Sequence, residues 1–431
     1  MKISFQPYFA LFILLLAYIL SFIDRNIMSI LAGPIQQDLG ISDFQFGLLQ
    51  GLFFTLFYSF LGLPIARVAD QGNRKNLITL GVTFWSLMTA CCGMTKHFIL
   101  LSFARMGVGL GEAALSPAAH SLLSDLFSAR RLPLALAIFS LGITVGGGIA
   151  YILGAWLHTL AEQGVFSHWF LFDSLASWQI TFILVGLPGF IVALLCLLIH
   201  EPKRKGVSHT NDKRFFPAWY FCLQHQSIYL YIIIAISLLS ILGYGFMSWF
   251  PEYLIRRFAL TRSEVGVKFG TLFMVFGSMG TIIGALFSSY LTRFGYQDGN
   301  IRLIIWAAFG WLLVGVPCVL VPSADWALFF ACAVIFILNC YFAVAIAGLH
   351  IVSPNQYRAQ ISALTILGAN LFGMGLGPAT IGFLSSRFFT HTAGLGDAMA
   401  CLIVIISPIV IMLVYRSLQP YRELLLKRSL R

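Results

Sequence analysis

Apolar runs of about 20 residues recur along this chain from one end to the other, and each can cross a bilayer hydrocarbon core of about 30 Å. No water-soluble core absorbs so many segments of that length. Charged residues fill 10% of the 431 positions and hydrophobic ones 59%, where a soluble domain carries about 25% charged residues. Too little polar surface remains to face water, and the 40 Phe and a mean hydropathy of +0.88 agree. The sequence therefore predicts an all-α membrane protein of about twelve transmembrane helices.

The helices, α1 to α12, are expected over 8–31, 44–66, 76–95, 98–122, 132–160, 178–200, 226–254, 264–291, 302–322, 325–350, 357–387 and 395–418. Between α6 and α7 the stretch 201–226 carries Lys203, Arg204, Lys205, Lys213 and Arg214 without an apolar period. It reads as a linker between an N-terminal six-helix bundle, 1–200, and a C-terminal six-helix bundle with a short basic tail, 227–431. Arg131, Gly146 and Gly148 recur at the same spacing as Arg358, Gly373 and Gly375, as diverged halves would place them.

A net charge of +11 suggests nucleic acid at first sight, but the basic residues lie in short loops, where they set topology. With the N-terminus inside, the inner loops hold Arg67, Arg74, Lys75, Arg130, Arg131, the linker cluster, Arg293, Arg302 and Arg358. The outer loops hold only Lys96, Arg256, Arg257, Arg262, Lys268 and Arg387, so both termini are expected in the cytoplasm. The eight Cys show no zinc or haem spacing and read as small buried thiols. The first apolar run lacks a small-residue cleavage site and contains Asp24-Arg25, so it reads as a retained helix rather than a signal peptide.

Between α2 and α3 runs Ala66-Arg67-Val68-Ala69-Asp70-Gln71-Gly72-Asn73-Arg74-Lys75. It resembles the Gly-x-x-x-Asp-Arg-x-Gly-Arg-Arg loop of the major facilitator superfamily: Asp70, Arg74 and Lys75 match, while Ala66, Gln71 and Asn73 depart from it. The resemblance implies the major facilitator fold, and a cytoplasmic latch made of Asp70, Arg74 and Lys75, with Arg131 as a partner for Asp70. In α4, Arg105-Met106-Gly107-Val108-Gly109-Leu110-Gly111-Glu112 resembles the same superfamily's Arg-x-x-x-Gly-x-Gly motif. The glycines of α5 (Gly142, Gly146, Gly147, Gly148, Gly154) and of α11 (Gly368, Gly373, Gly375, Gly377) let neighbouring helices approach closely.

Four charges stand in apolar surroundings: Asp24 and Arg25 in α1, Arg105 and Glu112 in α4, with no comparable charge expected inside the helices of the second half. A charge near the bilayer centre costs roughly 2.5–3.5 kcal/mol on insertion scales, so such groups face a cavity and pair. Glu112 lies about 21 Å into α4, near mid-membrane. One reading is a permanent ion-pair cluster that fixes α1 against α4. The other is a functional centre, and here the set resembles the spinster branch of the superfamily, with its sphingolipid and lysophospholipid transporters and bacterial relatives. That resemblance implies proton coupling through Asp24 and Glu112, with Arg25 and Arg105 as charge partners or substrate ligands.

The expected function is a secondary active transporter working by alternating access, proton-coupled, for an amphipathic lipid-like or small organic substrate. An organic-anion symporter of the same fold is the alternative. Tyr58, Tyr151, Tyr244, Trp249, Asn339 and Asn370 are candidates to line the path. No Gly-x-x-x-x-Gly-Lys-[Ser/Thr] loop is present for ATP. A channel would need a continuous polar stripe or filter loop, and an enzyme a catalytic cluster, and neither is legible. Expected partners are the substrate, protons and the bilayer, with no nucleic acid, metal or cofactor, in a monomer of a bacterial inner membrane.

Overall fold

The computed structural model describes residues 5–128, 130–169, 172–202, 204, 217–296 and 298–429. Twelve long helices account for most of them. α1 spans Phe5–Ile30, and α2 is assembled from Asp43–Gly47, a π turn at Leu48–Leu52, and Phe53–Gln71. α3 is Arg74–Cys92, α4 runs through Phe98–Glu112 and Leu115–Leu126, α5 is Leu132–Glu162 and α6 is Ser177–Leu197. α7 is Tyr229–Phe258, and α8 joins Arg262–Leu272 to Ser278–Arg293 through a π turn at Phe273–Gly277. α9 joins Gly299–Gly310 to Val316–Leu320 through a third π turn at Trp311–Gly315. α10 runs through Ala324–Cys340 and Phe342–Val352, and α11 joins Arg358–Gly368 to Gly375–Arg387 through a π turn at Ala369–Met374. α12 is Gly394–Ser429.

Among the described residues, 11 helices are long and apolar enough to cross a membrane. The remaining long one is α3, whose first turn holds Arg74, Lys75 and Asn76. Leu80, Ile99, Leu194 and Leu313 point outward and are largely exposed. In water such a surface would be an aggregation patch; in a bilayer it is the ordinary outer face. The chain is a multi-pass integral membrane protein.

Helix starts follow local chemistry. Ser42 caps α2 in a reciprocal box with Gln45, Thr261 caps α8 in one with Glu264, and the Asn73 side chain accepts the Asn76 amide at the head of α3. Several ends differ from expectation, two of them with consequences for the motifs. α2 continues to Gln71, which makes Ala66–Asp70 helical and confines the turn of the motif to Gly72-Asn73. α12 runs on to Ser429 rather than stopping near 418, because its polar last turns remain good helix formers. Within the expected linker, Pro217–Gln224 is a short helix, while residues 203 and 205–216 lie outside the described residues.

The chain forms two compact units, one of Met1–His209 with Ala259–Met274, the other of Thr210–Phe258 with Val275–Arg431. In the first, α1 packs along α5, α3 along α6, and α4 against α2 and α3. The opening segment of α8 belongs to this unit through α5, a placement that the division at 201–226 did not foresee. The reason is a close approach at small residues: a Cβ on Gly270 would sit 2.5 Å from the Gly148 carbonyl oxygen. In the second unit α7 packs on α11 and α12, α8 on α10, and α9 on α12.

One expectation fails here. Glu252 lies inside α7 and is 3% exposed, paired with Arg256 one turn on at 2.8 Å. The second half thus has a buried helical charge of its own. Arg256 and Arg257, expected in a loop, form the last turn of α7.

Candidate functional site

The four charges singled out in the sequence meet in the interior of the first unit. Asp24, Arg25, Arg105 and Glu112 are all buried, Arg105 completely. Ser21 and Arg25 are one helical turn apart and share a face of α1. Both reach the same carboxylate oxygen: the Ser21 hydroxyl donates to Glu112 Oε2 at 2.6 Å and Arg25 Nε donates to it at 2.5 Å. Glu112 ends the first segment of α4, just before the helix is interrupted at Ala113 and Ala114. Two turns earlier, Arg105 does not reach Glu112. It donates from Nη1 to the backbone carbonyl of Asp24 at 3.2 Å instead. The Asp24 carboxyl lies beside Arg105 and beside Trp85 and Thr89 of α3.

Aromatic rings and α2 complete the setting. The Arg25 guanidinium lies 4.9 Å from the Phe22 ring centre, 5.1 Å from Phe54 and 4.5 Å from Tyr58, and Arg105 lies 5.4 Å from Phe54. Such faces stabilise a cation that has left water. Gln50, in the π turn of α2, donates to the Arg25 carbonyl at 3.2 Å and to Ser29 at 3.1 Å. α4 comes close enough to α2 because residue 109 is glycine; a Cβ there would collide with the Phe54 carbonyl oxygen.

The cluster is not saturated. Among the described residues, Arg25 Nη2, Arg105 Nε and Nη2, Glu112 Oε1 and Gln50 Oε1 are buried without a hydrogen-bond partner in the protein, while Trp85 and Thr89 are placed to donate to the Asp24 carboxyl. Open groups of this kind can take a further hydrogen bond from water, a proton or a solute group.

Arg74 is the opposite case. It too is fully buried, yet it bonds Asp125 of α4 at 2.5 Å, Glu201 at 2.7 Å, and the Ser121 hydroxyl and carbonyl and the Pro202 carbonyl at 3.1 Å. The other Glu201 oxygen accepts the Lys75 amide at 2.9 Å, and Lys75 Nζ reaches the Leu197 carbonyl at 3.4 Å. These partners all belong to the first unit. Arg131 donates to the Tyr8 hydroxyl at 3.2 Å. The Asp70 side chain lies outside the described residues.

Of the path-lining candidates, Tyr58 alone is seen at the charge cluster. Tyr151 is buried with its ring edge-on to Phe269 at 4.9 Å, and Trp249 is buried with its indole donating to the Pro378 carbonyl at 2.8 Å. Asn339 bonds the Ile335 carbonyl of its own helix at 2.9 Å, Asn370 sits in the π turn of α11, and Tyr244 is partly exposed on α7. Sequence reading missed Ser21, Gln50, Trp85, Thr89, Asp125 and Glu201. Ser21 and Gln50 carried a usable signal, as polar residues one turn from a charge or alone in an apolar run. No group of three His, Cys, Asp or Glu placed to hold a metal ion occurs among the described residues.

Membrane-crossing helices arranged around internal ionisable groups are an arrangement that a carrier of solutes uses. The chain belongs to the Major Facilitator Superfamily, which its residues 14–365 match, and it is a transporter that resembles the spinster-like members of that superfamily. It is 28% identical over 385 residues to an MFS-type efflux pump of Mycolicibacterium smegmatis, covering 86% of this chain and 83% of that one. It is 27% identical over 299 residues to the sphingosine-1-phosphate transporter SPNS2 of Danio rerio, covering 65% of this chain and 56% of the fish protein. The fold superposes with a TM-score of 0.81 and 27% identity on a bacterial homologue of the human lysosomal transporter Spinster in an inward-facing, occupied conformation, over 98% of both chains.

Proposed function

We propose that this transporter is a proton-coupled secondary carrier of an amphipathic, lipid-like substrate, working by alternating access. Glu112 and Asp24 bind the proton, and Arg25 competes with it for Glu112. The observation that carries this reading is the contrast between two buried arginine networks. Arg74 has its Nε, Nη1 and Nη2 atoms all engaged, whereas the cluster around Asp24 leaves donors open on Arg25 and Arg105 and an acceptor open on Glu112. A network of the second kind changes its partners at low cost. Hydration of Glu112 in one state and its burial in the other give the proton different affinities for the two states, and such differential affinity lets a proton shift a conformational equilibrium. The lipid-like substrate rests on the sphingosine-1-phosphate carried by the fish relative. The open N–H groups Arg105 Nε and Nη2 and Arg25 Nη2 favour a second reading, in which an anionic group of a small organic acid docks there.

Flux into proteoliposomes decides between these. With a lysophospholipid as probe, accumulation is expected only when a pH gradient is imposed, and lactate is expected to remain outside. Uptake indifferent to the gradient would remove proton coupling, and uptake of lactate alone would favour the organic-acid reading. Both termini and the 201–226 stretch are read as facing the cytoplasm of an inner membrane. A cysteine introduced at Lys213 should react with an impermeant maleimide only after the cells are opened, and labelling of intact cells would invert the topology.

A further inference from the structure

Away from the charge cluster, the second unit carries a groove of about 950 Å³ between the start of α9 and the end of α12. Arg302, Arg416 and Arg422 line it with the aromatic residues Trp306 and Tyr415, and Glu423 is the one acid among the described residues that line it. We propose that this groove binds the headgroup of an anionic phospholipid, in the leaflet that faces the C-terminal end of α12.

The placement of the residues along the two helices carries the assignment. On α9, Trp306 follows Arg302 by one turn, so it lies about 6 Å deeper along the axis. On α12, which runs the other way, Tyr415 precedes Arg422 by two turns and lies about 10.5 Å deeper. Each helix therefore offers a cation near its end and a ring further in. Trp306 and Tyr415 are 69% and 72% exposed. Rings left open at the end of membrane-crossing helices mark the level of lipid headgroups, where an apolar body meets a polar boundary.

The cations are prepared for a phosphate. Asp298 holds both Arg302 and Arg422 by their Nε atoms, at 3.1 and 2.7 Å. That pair fixes two guanidinium groups side by side and does not consume their Nη groups, which supply the bidentate fork that a phosphodiester accepts. Three arginines against Glu423 in the lining and Asp298 beside it leave one net positive charge, so a neutral zwitterionic headgroup gains less there than an anionic one. A soluble phosphate would satisfy the arginines but leave the exposed rings without an acyl chain to cover them.

The test uses the whole detergent-solubilised transporter and a phosphatidylglycerol labelled in its acyl chain. Each arginine near an anionic headgroup contributes about fivefold in affinity. Arg416→Gln, which leaves the Asp298 pairs in place, is expected to weaken binding about fivefold, and the double variant Arg302→Gln with Arg416→Gln further. Trp306→Leu should weaken it as well. Unlabelled phosphatidylglycerol should displace the label at concentrations where phosphatidylcholine and inorganic phosphate do not. Unchanged affinity in Arg416→Gln, equal displacement by phosphatidylcholine, or displacement by inorganic phosphate, which would make this a soluble-anion site, would each overturn the proposal.

Discussion

Glu112→Gln is expected to abolish uphill transport while leaving downhill exchange largely intact. A pH gradient of one unit is worth about 1.4 kcal/mol, which for a carrier moving one proton per substrate sustains a roughly tenfold concentration ratio. Glutamine keeps an acceptor oxygen for the Ser21 hydroxyl and for Arg25 Nε, the two groups that meet Glu112 Oε2. It removes the site at which the proton and Arg25 compete. In vesicles with that gradient the variant should therefore settle near a ratio of one, and with equal pH on both sides it should still exchange labelled for unlabelled substrate. If the tenfold ratio survives, Glu112 is not the proton carrier and Asp24 alone is left. Asp24→Asn, measured in the same vesicles, shows whether the two acids act together.

The second large effect is expected at Arg74, where stability rather than coupling should respond. Arg74→Ala would take from Asp125 and Glu201 the buried guanidinium that bonds their carboxylates at 2.5 and 2.7 Å, the Asp125 pair being the more deeply buried of the two. Removing one partner from a buried pair costs about 3–5 kcal/mol. Arg74→Lys should recover only part of this, since an ammonium cannot reach separate acceptors with a planar fork. Thermal unfolding in detergent reads the loss directly. The resemblance of this loop to the superfamily motif implied a latch, and the latch reading predicts something else. In that case Arg74→Ala would melt like the parent, yet distances between spin labels on the two units would shift.

The helices were legible because spans of this length and apolarity admit few other folds, and their observed ends fall near the expected ones. Asp24, Arg25, Arg105 and Glu112 stood out because charges inside apolar runs are expensive. Their pairing was not legible. Arg105 and Glu112 share a stripe of α4, yet Arg25 takes Glu112 and Arg105 takes a backbone carbonyl. That choice depends on how α1 is rotated against α4, which side-chain spacing along either helix does not record. Glu252 was overlooked because it lies two residues from the expected end of α7 at 254, where a charge reads as belonging to the membrane surface rather than the interior. Glu201 lies just beyond α6, where its reach back to the head of α3 is purely tertiary.

The four π turns among the described residues, in α2, α8, α9 and α11, bear on how this chain can change length. A π turn holds one residue more than a regular helix needs at that point. Beyond it, everything is rotated by about 100° relative to a helical wheel drawn from the other side. Gln50 faces α1 from inside such a turn, so the phase of α2 before it and after it must be read separately. In evolutionary terms these are the places where a single codon can be gained or lost and the hydrogen-bond ladder still closes. Loss of one residue at Leu48–Leu52 would restore an unbroken helix and at the same stroke turn Gln50 away from the backbone of Arg25. The chain thus keeps, in the middle of α2, an extra residue that its fold does not need and its charge cluster does.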